Sequence, residues 1–88
     1  MDKVYLVVMD WACEGDAGID IEVFATKPKA LEAFRTLVNH EKHSSWIGEN
    51  NGKKIVVEEQ PEWFEAIEVG RAQNVRTEIY IEEKEVKG

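Results

Sequence analysis

Residues 61–70 read PEWFEAIEVG, and the fold turns on whether they form a strand or a short helix. A proline near the start and a glycine at the end suit a helix, with Trp63, Ala66 and Ile67 on one side. Alternation suits a strand: Trp63, Glu65, Ile67 and Val69 fall on one face, Phe64, Ala66 and Glu68 on the other. The flanking sequence favours the strand. Residues 71–75 are a short polar connection, and in residues 76–86 Thr77, Ile79 and Ile81 again alternate with Glu78, Tyr80 and Glu82. Two alternating runs joined this way return on each other as an antiparallel pair. Glu65, Glu78 and Glu82 can then line up on one sheet surface, whereas a helix would break the row.

Residues 58–85 hold nine acidic side chains (Glu58, Glu59, Glu62, Glu65, Glu68, Glu78, Glu82, Glu83, Glu85) against three basic ones (Arg71, Arg76, Lys84). Their local charge of −6 is most of the chain's −7. Working outward from this acidic third, residues 3–11 (KVYLVVMDW) are rich in β-branched and aromatic residues and read as a largely buried strand. Residues 12–18 (ACEGDAG) read as a loop. In residues 19–25, Ile19, Ile21 and Val23 are expected inward and Asp20 and Glu22 outward, which makes a hairpin with the first strand. Thr26 and Pro28 then open a helix over residues 28–42, whose apolar stripe is Ala30, Leu31, Phe34, Leu37 and Val38. Lys29, Glu32, Arg35, Glu41 and Lys42 take its polar face. A turn-rich stretch over residues 44–54, with Asn51-Gly52 as its strongest turn signal, leads into a short strand at residues 55–58. The fold class is α+β: an antiparallel sheet of four to five strands in the order β-β-α-β-β, with one amphipathic helix on one face.

Eighty-eight residues make a single domain, residues 1–88. With 43% hydrophobic and 33% charged residues, the chain has material for a modest core and too much for disorder. A domain of this size buries only about 60% of its unfolded surface, so a homodimer is a natural way to bury more. The negative charge disfavours direct nucleic-acid and anionic-membrane partners and suits a basic protein partner. A single cysteine, Cys13, forms no internal disulfide. Residues 4–9 lack the cationic flank and the length of a signal sequence, so a reducing cytoplasmic home is expected.

The opening strand and its Gly/Asp turn (KVYLVVMDWACEGD), the passage from second strand to lysine-rich helix (VFATKPKALEAFRTLV) and the ending IYIEEKEV resemble a group of small uncharacterised proteins of gut-type bacteria and their phages and mobile elements. The resemblance covers most of the chain, least so residues 44–60. It implies a compact α+β fold and carries no activity, cofactor or functional residue with it.

No catalytic set is complete. His40 and His43, an i, i+3 pair near the helix end, could start a metal site or a small enzyme centre. A third ligand would have to come from Glu49, Cys13 or another carboxylate; otherwise the imidazoles serve the free helix carbonyls. Cys13 lies beside Glu14 and Asp16, which oppose a reactive thiolate. Asp10, Glu14, Asp16 and Asp20 cluster around one hairpin loop without the spacing of a calcium loop, and Gly15 and Gly18 lack the setting of a phosphate loop. Glu58, Glu59, Glu62, Glu65 and Glu68 read as a solvated face. Alternatively, glutamates at every second strand position, about 7 Å apart, mimic a phosphate backbone. Trp46 and Ile47, in the polar SSWIG stretch, are a candidate contact anchor. The expectation is a non-catalytic, cofactor-free interaction or regulatory protein. Its tentative contact residues are Trp46, Ile47, Glu65, Glu78 and Glu82.

Overall fold

The structure, a computed structural model, describes residues 3–13, 15–43, 54–69 and 75–86. Five strands and one helix are found there: β1 (Lys3–Cys13), β2 (Asp16–Phe24), α1 (Lys27–Lys42), β3 (Lys54–Gln60), β4 (Trp63–Val69) and β5 (Val75–Glu85). All pairings are antiparallel, and the strand order is β2-β1-β5-β4-β3. The chain passes from β2 at one edge through α1 to β3 at the other. The helix therefore lies across one face of the sheet, and the first and last strands pair in its interior.

Residues 63–69 form the strand β4, paired with both β3 and β5. Pairing decides the ambiguity. Phe64 and Ala66 gain full burial beneath α1 as strand residues, which isolated helix propensity in so short a stretch does not match. The hairpin of β1 and β2 is tighter than the seven-residue loop the composition suggests. The ladder runs on through Trp11 opposite Gly18 to Cys13 opposite Asp16, and Gly15 supplies the positive φ of 88° beside it. Gly18 stays within the strand because the Trp11 ring covers it: a Cβ there would lie 2.5 Å from Trp11 Cζ2.

Thr26, extended at φ −130°, begins α1, with Pro28 in the first turn. The expected stripe packs down: Ala30, Phe34 and Val38 are buried, with Leu37 packed at their margin. They meet Val7, Phe64, Ala66 and Ile79 of the sheet, flanked by Tyr5, Met9, Phe24, Ile55 and Ile81. Glu41, expected on the polar side, continues the stripe one turn beyond Val38 and is buried. Its carboxylate accepts a hydrogen bond from the Thr77 hydroxyl at 3.2 Å, which offsets part of the cost of burying it.

One expectation about β2 is reversed. Ile19, Ile21 and Val23 are 57%, 53% and 62% exposed and lie on the face that α1 does not cover. The register sets Phe24 opposite Tyr5 and Glu22 opposite Val7, so Phe24, Glu22, Asp20 and Asp16 share the helix side. Alternation reveals two faces but not which one is covered, and a shift of one residue exchanges them. Here Phe24, adjoining the helix start, takes the covered side and forces the smaller aliphatics onto the open one.

Candidate functional site

The helix-free face is where the chain concentrates unusual chemistry. Cross-strand partners share a face, so the registers place Asp10 (β1), Glu78 (β5), Glu65 (β4) and Glu58 (β3) in one row across four strands. At the ~4.8 Å strand spacing, three successive like-charged neighbours oppose one another. One guanidinium works against this: Arg76 Nε lies 3.3 Å from Glu65 and Nη2 3.1 Å from Glu78. The indole of Trp63 also donates to Glu78 at 2.7 Å. Glu65 and Glu78 are thereby held part-buried, 20% and 22% exposed at the side chain, while Glu58 stands exposed at the end of the row.

Beside the row runs an uncharged band of Ile21, Val8, Tyr80 and Trp63, again in direct register. Val8 is fully buried on this face although no helix covers it, so its sheet neighbours already close over it. Burial raises the Tyr80 phenol above its usual value of 10.0, and the carboxylates of Glu82, Glu78 and Asp10 push the same way. The sign of the pH effect follows. Above pH 10 the unfolded chain has released this proton while the folded chain still holds it. Tyr80 therefore leaves stability unchanged below that pH and lowers it as pH rises beyond. In absorbance titrations, Tyr80 is expected to ionise above the free phenol's pH, and Tyr80→Phe to remove that step.

The row also carries a stability prediction. Glu58→Lys replaces a carboxylate opposite Glu65 with an ammonium, so the unfolding free energy is expected to rise by about 0.5 kcal/mol at low salt, raising the urea midpoint, and the gain to fade as salt is added. A midpoint that falls or stays fixed would show that the row is not under mutual repulsion.

Of the residues singled out in the sequence, Glu65 and Glu78 are direct neighbours and Glu82 shares their face, with Tyr80 between Glu82 and Glu78 on β5. The contiguous row thus runs across the strands rather than along one of them, and Asp10 and Glu58 belong to it. Sequence reasoning missed these two for the row because their membership depends on register, not on local spacing. Trp46, Ile47 and Glu49 lie outside the described residues. The remaining acids disperse. Glu62 pairs with Lys27 at 2.7 Å and Glu59 with Lys42 at 3.1 Å, while Glu68 is buried on the helix side. Asp10 is on the opposite face from Asp16 and Asp20, so these three do not converge, and Glu14 lies outside the described residues. Cys13 is exposed. His43 donates from Nδ1 to the Asn39 carbonyl at 2.8 Å, the helix-end role open to it from sequence. Among the described residues, no three His, Cys, Asp or Glu side chains are grouped to hold a metal ion, and no helix is long and apolar enough to cross a membrane.

A shallow open pocket at the start of α1 is lined by Lys3, Tyr5, Lys27 and Pro28. Its two ammonium groups already face carboxylates, Lys3 on Glu83 at 3.5 Å and Lys27 on Glu62. The Glu62 hydrogen bond and charge hold the Lys27 pKa above its usual value. No protein-family model, curated protein or solved structure matches the chain.

Proposed function

We propose that this chain is a non-catalytic protein-interaction module whose contact surface is the helix-free face of its sheet. The observation that carries the reading is the juxtaposition on that face of the Asp10–Glu78–Glu65–Glu58 row with exposed Ile19, Ile21 and Val23. A monomer gains nothing from either feature: opposed carboxylates cost stability and exposed aliphatics cost solubility. A protein surface with lysines or arginines would neutralise the row and fix its orientation. The row presents one guanidinium against four carboxylates, so the deficit is one of positive charge. A regulator or inhibitor encoded by a mobile element fits the size, charge and resemblance of the chain.

The test compares three baits in host lysate: the wild type, the row variant Glu58→Gln/Glu65→Gln/Glu78→Gln, and the helix variant Glu32→Gln/Arg35→Gln. Proteins enriched by the wild type and the helix variant but lost with the row variant support the reading. Equal capture by all three, or none by any, overturns it.

A further inference from the structure

We propose that the uncharged strip formed by β2 and β1 on this face is covered by a second copy of the chain, packed sheet against sheet about a twofold axis. The inference deepens the reading of the helix-free face as a contact surface by assigning an occupant to its apolar side. The distribution of charge on β2 carries it. Asp16, Asp20 and Glu22 all share the helix side, and the opposite side of the same strand carries Ala17, Ile19, Ile21 and Val23 without a charge. Across from Val23 and Ile21 on β1 stand Leu6 and Val8, whereas Ile19 faces Asp10, the first residue of the acidic row, which bounds the strip. Two chains of charge −7 each can meet on the Val23–Leu6 and Ile21–Val8 part of the strip with Asp10 and Glu82 left at its margins. A basic partner finds no complement there and is drawn instead to the neighbouring row.

Charge also decides between the two ways β2 could self-associate. As an edge strand it could pair with its own copy and extend the sheet. A symmetric antiparallel pair centred on Ile21 would set Asp20 opposite Glu22 on both sides of the axis. One centred on Asp20 would set that carboxylate against itself, and like charges directly opposed are destabilising. Packing face to face, with sheets about 10 Å apart, brings the aliphatics together and leaves those three acids in water.

Area sets the strength. Five strands of seven to eleven residues make a face of roughly 24 by 30 Å, close to the ~800 Å² each partner gives a standard interface. The uncharged strip is a fraction of that, so association is of the weak, concentration-dependent class. It strengthens with added salt, which screens repulsion between the two copies, whereas binding of a basic partner weakens.

Sedimentation of the purified chain from about 10 µM to about 1 mM tests the proposal without any other protein. The expected result is a mass rising from 10.1 kDa toward twice that value, and rising earlier at higher salt. Ile21→Lys, at a site half exposed in the monomer, is expected to keep the melting temperature and to weaken association by roughly tenfold or more. Asp20→Lys, on the other face, is expected to leave association unchanged; if it instead strengthens association while Ile21→Lys does not weaken it, β2 pairs edge to edge and the proposal fails. A mass of 10.1 kDa at every concentration also overturns it. Either failure leaves the lysate comparison untouched, since that reads the carboxylate row.

Discussion

Phe64→Ala is expected to remove a large share of the stability of this domain. Phe64 is 0% exposed, lies directly across the β4–β5 ladder from Ile79 and belongs to the cluster that α1 covers with Ala30, Phe34 and Val38. Truncating a buried phenylalanine costs about 3–5 kcal/mol, the lost transfer energy plus the cavity left behind. At ~0.05–0.15 kcal/mol per residue, a chain of this length holds only about 4–13 kcal/mol in all. Urea denaturation followed by far-ultraviolet circular dichroism is expected to show a midpoint far below that of the wild type. Phe64→Leu keeps most of the volume and is expected to retain a clear transition. Ile21→Ala, on the open face, is expected to cost the monomer under about 1 kcal/mol. If Phe64→Ala cost no more than Ile21→Ala, the helix would not be packed on β4.

The second large effect concerns the buried polar contact between helix and sheet. Thr77→Val keeps the shape of the side chain and removes the hydroxyl that donates to Glu41 at 3.2 Å. Thr77 and Glu41 are 3% and 8% exposed, so water does not readily replace the lost donor. The expected cost is about 1–3 kcal/mol, against well under half of that for Thr77→Ser, which retains the donor. Equal losses in the two variants would mean that the methyl group, not the hydrogen bond, is what position 77 contributes.

The helix and the acidic strand pair were legible in the sequence because their signals are local. Ala30, Phe34 and Val38 repeat at helical period, and alternation through residues 76–86 admits one secondary structure. Glu41 was misplaced because a carboxylate at a stripe position reads as the end of the stripe; the Thr77 hydroxyl brought opposite it by the fold helps make burial tolerable. The facing of β2 was misread for a different reason. Ile19, Ile21 and Val23 show the period of a half-buried strand, yet period alone does not say which side meets the helix. That side is set by Phe24 pairing with Tyr5, a contact between distant segments. The row had the same limit: Glu65 and Glu78 could be proposed as neighbours, while Asp10 and Glu58 join them only through the β1–β5 and β3–β4 registers.

These two non-local features coincide on one face, and the proposed interaction role rests on them. Opposed carboxylates and exposed aliphatics both violate the ordinary rules of a stable sheet, and departures of that kind cluster where a surface is used. The gain expected from Glu58→Lys expresses the same trade between stability and contact chemistry.

Self-association through the helix-free face is tested most directly by methyl and amide NMR spectra of the purified chain over about a hundredfold dilution from ~1 mM. Shifts that move with concentration at Leu6, Ile19, Ile21 and Val23, while Lys29, Glu32 and Arg35 on the outer side of α1 stay fixed, are the predicted result. Spectra that do not change at all, or changes confined to α1 or to the acid-bearing side of β2, would contradict it.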